Sequence, residues 1–475
     1  MQSSFGRSRL ALAGGLLLAG AIVTAGGLRF STFTPLPASA GPTTDESMPI
    51  TFGNGEFQQR SIADRTAQLA AGAPNTGNWD MLTVNENGRQ RGRFLFTVFE
   101  TGSAGVQRLD LWSGVAETVW QSPCVAPAPC GHVSFDASYW TPWGTLITAE
   151  ESWSTAPGVG ATSPYGRLFE LRNPLTAPGI YGAVTPASNL GADFVHRNVI
   201  PRTSHEGIQF DSTGAMYFID ELNGGSIYKY VPKAPFKRVL NGRADYFAAG
   251  QTFVLRVGDG LTPNATGAYT WVPITDEDGQ GLPGTLVITD VNGVVSVDAR
   301  NTTDLPAFKG TDYQRPEDLQ IQRLKHREYL YVATTTTNEV YRLDLSAQVI
   351  TVFANRDTLD LATGAAVGTG LTSPDNLALD HEGNLYIVED RNGGVDDDIW
   401  FARDLNRDGD LLDPGEGLGR WASNGTPGSE FTGLYFDPFQ QGRAWVNIQH
   451  PSSGNDRTIQ IDLRDVREHA GGKDR

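Results

Sequence analysis

Two stretches of the chain place acidic residues at both ends of a short hairpin. Residues 204–221 read SHEGIQFDSTGAMYFIDE and residues 373–390 read SPDNLALDHEGNLYIVED, each with an apolar strand on either side of a turn. In an antiparallel hairpin, the start of the first strand lies beside the end of the second strand. The acids of each hairpin are therefore expected to meet at the end away from the turn. Clustered carboxylate oxygens bind hard cations such as Ca²⁺, Mg²⁺ and Mn²⁺, and together with water they also accept Fe³⁺.

Other parts of the chain supply acids at the same two positions. The first strands are predicted to begin near Glu206, Glu317 and Asp375, and in the last unit Thr432 takes this place. Glu430 lies two residues before Thr432, and a shift of two residues keeps a side chain on the same face of a strand. The second strands are predicted to end in three pairs of acids, which are Glu150-Glu151, Asp220-Glu221 and Glu389-Asp390.

Up to ten carboxylates would then surround one opening. Without counter-charges they would repel one another and lose hydration, at a cost of roughly several kcal/mol each. Bound cations, or protonation of some carboxylates, would relieve this cost. A single acid at a strand end more often bonds a backbone N–H group or an arginine, so the recurrence of the pattern is what favours a metal site.

The spacing of these units favours a β-propeller. Glu317 and Asp375 are 58 residues apart, and Asp375 and Thr432 are 57 residues apart. The chain of 475 residues contains 55 Gly and shows many short strand patterns without long helical periodicity. Repeats of this length are typical of blades of four antiparallel strands around a central channel. We therefore predict an all-β protein, a β-propeller with six blades, with a pair of β-sandwiches as the alternative.

The N-terminus has the pattern of a targeting segment. Arg7 and Arg9 precede an uncharged run over 10–28, and small residues follow over 38–40. This order predicts a signal peptide and a periplasmic or secreted protein, or a protein that an uncleaved signal anchors to a membrane. Cleavage after Ala25 is the alternative to cleavage after residue 40. The predicted organisation is a signal or anchor over 1–40, a linker or wrapping arm over 41–78, the propeller over 79–466 and a tail over 467–475.

Charge and cysteine content restrict the partners. The formal net charge is −17 and the sequence has no run of basic residues to meet phosphates, so nucleic acid is not expected as a partner and cations are. The two cysteines, Cys124 and Cys130, stand in a Pro-rich stretch, and an oxidising compartment would allow a disulfide between them. The sequence leaves the oligomeric state open.

A second calcium site is predicted in a loop near the C-terminal end. Residues 404–410 read DLNRDGD, which matches the D-x-N-x-D-G opening of a calcium-binding loop. The candidate ligands are Asp404, Asn406, Asp408 and Asp410. The twelfth position holds Gly415 rather than Glu, Glu416 follows it, and no helical pattern flanks the loop, so a solvated acidic loop is the alternative.

Five motifs together resemble the PhoX family of exported alkaline phosphatases. They are TPWGTLITAEES (141–152), SHEGIQF (204–210), RPEDLQ (315–320), SPDNLALD (373–380) and EFTGLYFDPFQQGRAWVNIQHPSSG (430–454). The resemblance implies a six-bladed propeller that hydrolyses phosphomonoesters at a site over the channel, where carboxylates bridge iron and calcium. It implies metal ligands at Glu206, Glu317, Asp375 and Glu430, a place for Glu150 in the corresponding metal-site motif, and contact of Arg315 with the substrate phosphate.

One motif departs from the family pattern. Where PhoX proteins resemble TCEE, this chain has Ala149 ahead of the two glutamates, and the family's cysteine at that position is an iron ligand. Alanine binds no metal, so the resemblance supports calcium here, whereas iron lacks one of its ligands. A calcium-dependent lactonase-like hydrolase, with Asn223 and Asn376 as further ligands, is one alternative function. A non-catalytic propeller that binds a ligand or a partner is the other.

Overall fold

A computed structural model describes residues 29–53, 56–124, 131–153, 163–179, 193–290, 293–391 and 397–464. Nearly all regular structure in these residues is β-strand, and the strands are short because turn residues interrupt them every few positions. The helices of the described part have four to six residues. They are α1 (Arg65–Ala70), α2 (Phe236–Leu240) and α3 (Ala299–Thr302).

The first part of the chain forms two separate strands and then two four-stranded antiparallel sheets. The separate strands are β1 (Ile50–Phe52) and β2 (Phe57–Asp64). Blade 1 consists of β3 (Trp79–Val84), β4 (Phe94–Phe99), β5 (Gly105–Asp110) and β6 (Val115–Gln121). Blade 2 consists of β7 (Phe135–Trp140), β8 (Leu146–Glu150), β9 (Leu168–Leu171) and β10 (Phe194–His196).

The middle of the chain forms a nine-stranded sheet that comprises two blades. Its strands in chain order, with the small strands inserted between them, are β11 (Ile208–Phe210), β12 (Met216–Ile219), β13 (Asn223–Gly225), β14 (Ile227–Pro232), β15 (Gly250–Val257), β16 (Gly267–Pro273), β17 (Val287–Thr289), β18 (Val295–Val297), β19 (Tyr313–Gln314), β20 (Pro316–Leu324), β21 (Arg327–Thr334), β22 (Glu339–Asp344) and β23 (Val349–Ala354). Blade 3 is β11-β12-β14-β15 and blade 4 is β20-β21-β22-β23. Strand β16 pairs with both β15 and β23 and so joins the two blades at their outer edges.

The last part of the chain forms two sheets that the separate N-terminal strands complete. Blade 5 is β24 (Pro374–Leu379), β25 (Leu385–Glu389), β26 (Asp398–Arg403) and β27 (Gly417–Asn424), with β1 paired to β27. Blade 6 is β28 (Glu430–Phe436), β29 (Arg443–Gln449) and β30 (Arg457–Leu463), with β2 as its outer strand.

The first strands of the blades contact one another in a closed circle. Strand β3 contacts β7, β7 contacts β11, β11 contacts β20, β20 contacts β24, β24 contacts β28, and β28 contacts β3 again. A ring of antiparallel sheets with their first strands at the centre is a β-propeller. The predicted all-β propeller class is confirmed, and the described residues form six such units.

Apolar clusters fill the spaces between neighbouring blades. The described residues contain six of them, and each combines side chains from two adjacent blades. Trp79 of blade 1 packs with Trp445 of blade 6, and Trp421 of blade 5 packs with Phe436 of blade 6. Because each blade is apolar on both faces, its strands show nearly continuous burial, and the polar residues concentrate at the strand ends.

Residues before β1 also lie against the last two blades. Phe30 is 2% exposed and packs against the rings of Phe57, Trp421 and Phe436. The backbone N–H of Ala40 donates to Ser423 Oγ at 2.8 Å. The rest of the predicted targeting segment, residues 1–28, lies outside the described residues. Within the described ranges, no helix has the length and apolar character that crossing a membrane requires.

Candidate functional site

Each blade places one acid at the same end of the channel, at or just before the start of its first strand. These first-strand acids are Asp80, Asp136, Glu206, Glu317, Asp375 and Glu430. They line a cavity of about 200 Å³, which we call the acidic cavity. Oxygen atoms of Glu206, Glu317 and Asp375 lie within 4.8 Å of one another, as a shared metal ion requires. The four first-strand acids that the sequence suggested as ligands are thus brought together, and Asp80 and Asp136 join them.

The ends of the second strands add a further row of acids to the cavity. These second-strand acids are Glu100, Glu151, Glu221 and Asp390, from blades 1, 2, 3 and 5. Ten carboxylates therefore face one cavity, together with Asn78, Arg315, Gln449 and His450. In blade 4 the residue after the second strand is Thr335, and in blade 6 the second strand ends at Gln449.

The same backbone hydrogen bond ties the two rows together in five blades. In each, the N–H of a residue one or two positions after the second strand donates to the carbonyl oxygen of the residue two positions before the first-strand acid. The pairs are Glu100 to Asn78 (2.9 Å), Glu151 to Ser134 (2.8 Å), Glu221 to Ser204 (2.9 Å), Thr335 to Arg315 (3.0 Å) and Asp390 to Ser373 (2.9 Å). In blades 1, 2, 3 and 5 this bond sets the two carboxylates side by side, which is the arrangement that the hairpin pattern predicts, whereas blade 4 has Thr335 in place of the second acid.

A left-handed backbone conformation precedes most of the first-strand acids. The residues two positions before the acid with positive φ are Asn78 (46°), Ser134 (40°), Arg315 (53°), Ser373 (50°) and Gly428 (74°). Glycine and asparagine adopt this conformation readily, whereas a long side chain rarely does. Arg315 is the unusual member, and it also precedes Pro316, which restricts its backbone further. Such strain costs of order 1–3 kcal/mol and persists where the surroundings impose it, often at functional sites.

Glu150 does not face the acidic cavity. Both of its oxygens are occupied, because Arg167 donates from Nη2 at 2.6 Å and from Nε at 2.9 Å, and the backbone N–H groups of Gly166 and Arg167 donate at 3.0 Å. The ion pair is fully buried. Successive side chains of a strand point to opposite faces, so its neighbour Glu151 enters the cavity instead. This corrects the choice of Glu150 as the metal-site glutamate of this motif.

The same alternation holds in the other two predicted pairs. Asp220 accepts a hydrogen bond from the N–H of Ser204 at 2.9 Å, while Glu221 lines the cavity. Glu389 accepts from Trp400 Nε1 at 3.0 Å, while Asp390 lines the cavity. The second acid of each pair therefore faces the channel, and the first acid bonds to its own blade.

Burial and crowding raise the pKa of eight carboxyls in the cavity. Loss of hydration is the main cause and repulsion from neighbouring carboxylates is the next. The pKa of Glu317 rises to about 7, and Arg315 beside it limits the rise. The pKa is raised well above the usual range for Asp80, Glu100, Asp136, Glu206, Glu221, Asp375 and Glu430. Burial and crowding therefore favour the protonated form of these groups when no cation is bound.

Several carboxylate oxygens in the cavity have no hydrogen-bond donor. Within the described part of the chain, this holds for one oxygen each of Asp80, Asp136, Glu206 and Glu430. A buried acceptor without a partner is costly unless a cation or a water binds it. An all-oxygen donor set with open oxygens fits hard cations such as Ca²⁺. Cations therefore fit this cavity.

Two lining residues with basic side chains, Arg315 and His450, accompany the carboxylates. Arg315 donates from Nη2 to Glu221 Oε1 at 2.6 Å, and its Nε lies 3.2 Å from Glu317 Oε1. Arg315 is the arginine among the described lining residues. His450 places Nε2 at 2.6 Å from Glu430 Oε1, and its Nδ1 lies 2.9 Å from the carbonyl oxygen of Gly428. These contacts orient Glu430 and leave an arginine beside the carboxylates.

Ala149 is not among the residues that line the acidic cavity. It is fully buried in the apolar cluster between blades 2 and 3, where it packs with residues such as Ala137 and Ile147. Its methyl group offers no ligand atom, as the sequence indicated. Asn376, suggested as a ligand for the lactonase alternative, donates to Glu206 Oε1 at 3.4 Å and accepts from the N–H of Gly433 at 2.6 Å. Asn376 thus bridges blades.

The predicted calcium loop brings part of its candidate set together. Oxygens of Asp404, Asp408 and the buried Glu416 lie within 4.8 Å of one another. Asn406 instead donates its amide to Asp408 and Asp413, and Asp410 accepts from the N–H of Leu412. Glu416, one position beyond the usual place, thus joins Asp404 and Asp408 in this group, and Asp410 does not. In the predicted disulfide, Cys130 lies outside the described residues.

A larger cavity lies at the other end of the channel. It measures about 330 Å³ and is lined by later residues of the first strands, such as Gln320, Ala378 and Tyr435. It mixes apolar and polar side chains and lacks a comparable group of carboxylates. Size alone would favour it, but the converging acids place the chemistry in the smaller acidic cavity.

Comparison with known proteins adds the family. A family model described as alkaline phosphatase PhoX matches residues 137–452, which is more than half of the chain. The chain belongs to the PhoX family of alkaline phosphatases. The family predicted from the motifs is thereby confirmed. No curated protein matches the chain.

A solved PhoX structure shares the fold of this chain. The chain is similar to Pseudomonas fluorescens PhoX in complex with vanadate, a transition state analogue, with 16% identity, a TM-score of 0.60 and coverage of 91% of this chain and 98% of that chain. A more distant match is regucalcin, a calcium-binding protein from Agrobacterium tumefaciens, with 12% identity, a TM-score of 0.40 and coverage of 86% of this chain and 96% of that chain. At these identities the likeness concerns the fold.

Proposed function

We propose that this PhoX-family protein hydrolyses phosphate monoesters in the acidic cavity, with Ca²⁺ ions held by its carboxylates. The observation that carries the proposal is the convergence of one acid from every blade on a single cavity that also contains Arg315. A solved relative supports it, since the structure of Pseudomonas fluorescens PhoX holds vanadate, a transition state analogue. We also propose that the protein is exported to the periplasm or outside the cell, or stays anchored by its N-terminal segment.

The carboxylates would hold the cations. Glu206, Glu317 and Asp375 are the first candidates, because their oxygens already lie within a shared coordination distance. Bound cations would neutralise phosphate oxygens and favour attack of water at phosphorus. Without them, ten carboxylates would repel a phosphate dianion, so the substrate requires the cations.

Arg315 would bind the substrate phosphate. Its guanidinium is 22% exposed, so it borders the cavity and also reaches solvent. A planar guanidinium donates two parallel hydrogen bonds to phosphate oxygens. Glu221 and Glu317 hold this group from the protein side. His450 keeps Glu430 in place through its 2.6 Å contact.

Iron is the less favoured metal in this proposal. Ala149 is buried among apolar side chains and cannot replace a thiolate ligand. We propose calcium as the cofactor, with iron bound, if at all, through oxygen ligands alone. Elemental analysis of the purified protein measures the content of both metals directly.

Turnover of p-nitrophenyl phosphate by the purified protein tests the function. We expect Ca²⁺-dependent hydrolysis that a chelator abolishes, and its loss in Asp375→Asn. Asp278→Asn is the matched control, because Asp278 is 66% exposed and forms a surface ion pair with Lys233. Hydrolysis of a lactone without phosphatase activity would instead identify a lactonase, and neither activity would indicate a binding propeller.

A further inference from the structure

Trp153 links the second-strand acids of two neighbouring blades. It lies two residues after Glu151, and its indole Nε1 donates to Glu151 Oε1 at 2.6 Å and to Glu221 Oε2 at 3.0 Å. Two carboxylates that would repel each other thus share one donor. Trp153 is half-buried and bonds two of the acids that line the acidic cavity.

The ring of Trp153 also supports Arg315. The guanidinium carbon lies 5.2 Å from the centre of the ring, which is a cation–π distance. Arg315 donates to Glu221 Oε1, while Trp153 donates to Oε2 of the same carboxylate. The three side chains therefore form a closed set, in which moving Trp153 releases both Glu221 and Arg315.

Without the indole ring of Trp153, little would keep the guanidinium of Arg315 from pairing fully with the surrounding acids. It already contacts Glu221 and Glu317, and a free guanidinium among carboxylates would turn fully towards them. The planar guanidinium lies within cation–π distance of the ring, and its Nη1 has no hydrogen bond within the described residues. That edge is then available for an oxygen of a bound phosphate.

The backbone beside Trp153 is held firmly in place. The carbonyl oxygen of Ser152 accepts from Arg300 Nη1 at 2.9 Å, and the N–H of Ser152 donates to Ser204 Oγ at 2.9 Å. Arg300 also donates from Nη2 to the carbonyl oxygen of Ser163 at 3.0 Å, and the hydroxyls of Ser152 and Ser163 lie 2.6 Å apart. Arg300 itself is buried and paired with Asp298 beside α3. These hydrogen bonds fix the backbone that carries Trp153.

We propose that Trp153 is a positioning residue that holds Arg315 in the orientation that binds the phosphoryl group. This assignment rests on the phosphatase function proposed above. It adds a residue that contacts neither the reacting atoms nor the cations and acts through Arg315. Its backbone position depends on Arg300, which reaches it from the segment inserted between blades 3 and 4.

Phosphate affinity of the Ca²⁺-loaded protein tests the proposal. Trp153→Ala should raise the inhibition constant of inorganic phosphate and the KM for p-nitrophenyl phosphate about tenfold, whereas Trp153→Phe, which keeps an aromatic face, should change both by less than about threefold. kcat should change less than KM in both variants. Trp112→Phe is the control, because Trp112 is 73% exposed on blade 1 and stacks on Arg93.

A double-mutant cycle separates positioning from general damage. If Trp153 acts through Arg315, Trp153→Ala should have no further effect on phosphate affinity in an Arg315→Ala background. Additive effects, or unchanged phosphate affinity in Trp153→Ala, would overturn the proposal. Thermal unfolding and Ca²⁺ binding by calorimetry should stay at the wild-type level in Trp153→Phe. If the wild-type protein proves inactive, phosphate binding measured by calorimetry still decides the role of Trp153, and the proposed function fails separately.

Discussion

Adjacent glutamates at the end of β8 should respond in opposite ways to the same substitution. Glu150→Gln places an amide N–H₂ group where four N–H groups from Gly166 and Arg167 converge, and leaves the buried Arg167 with only the longer 3.5 Å ion pair to Asp290 among the described residues. Breaking a buried ion pair costs about 3–5 kcal/mol. Glu151→Gln removes one of ten negative charges from the cavity, so it should relieve repulsion in the metal-free protein.

The size of the stability change follows from the length of the chain. Unfolding entropy is about 2.1 cal/mol/K per residue, which gives about 0.9 kcal/mol/K for a domain of this size. Glu150→Gln should therefore lower Tm by about 3–6 °C. Glu151→Gln should leave Tm of the metal-free protein equal or slightly higher, and should weaken Ca²⁺ binding by at least about tenfold.

Calorimetry measures both quantities on the same samples, by scanning for Tm and by titration for Ca²⁺ affinity. Glu382→Gln is the matched control, because Glu382 pairs at the surface with an exposed Arg29 and should change Tm by less than about 2 °C. If Glu150→Gln weakened Ca²⁺ binding as strongly as Glu151→Gln and left Tm unchanged, the assignment of Glu151 to the cavity would be refuted.

Three further measurements examine the cations, the second loop and the N-terminal segment. Burial raises the folded pKa of Glu317 to about 7, above the unfolded value of 4.5. The metal-free protein should therefore lose stability as the pH rises from 4.5 to about 7, and Ca²⁺ should abolish that loss. Measuring Tm against pH with and without a chelator checks this prediction. Glu416→Gln should lower the number of bound Ca²⁺ ions by one while leaving phosphatase activity per folded molecule unchanged, since its loop lies outside the acidic cavity; equilibrium dialysis tests this. Phe30→Ala should cost about 3–5 kcal/mol in a chemical denaturation series, because Phe30 is 2% exposed, whereas Phe439→Ala, at 44% exposure, should cost little.

The sequence predicts the hairpins because their two-residue alternation and their turns are local. Glu206, Glu317 and Asp375 stand in closely similar stretches, so their common position could be inferred without a structure. Asp80 and Asp136 are preceded by the aromatic residues Trp79 and Phe135, whereas a polar residue or a proline precedes the acid in the other hairpins. The sequence around Asp80 and Asp136 does not otherwise resemble the repeated hairpin motif. Their only shared signal is a small polar residue two positions earlier, at Asn78 and Ser134.

The choice between two consecutive acids could not be made from the sequence. Which of Glu150 and Glu151 enters the channel depends on the register of β8 against β7, and β7 contains a bulge between Phe135 and Ser138. A bulge adds one residue to one strand and shifts the alternation relative to its partner. Similar shifts occur in β3, β20 and β24, close to their acids. Counting alternate residues from the hairpin turn therefore fails to predict which side chains face the channel at the opposite end of the hairpin, where the acids lie.

The pairing of β2 with β30 sets the order in which the protein can be completed. Strand β2 emerges from the ribosome among the first described residues, yet its partner Arg457–Leu463 is translated last. The first and last blades, which carry Asp80 and Glu430, become neighbours only when that strand arrives. A nascent chain consequently cannot complete the ring of carboxylates, and any cation that needs both Asp80 and Glu430 could bind only after the C-terminal strands have been synthesised.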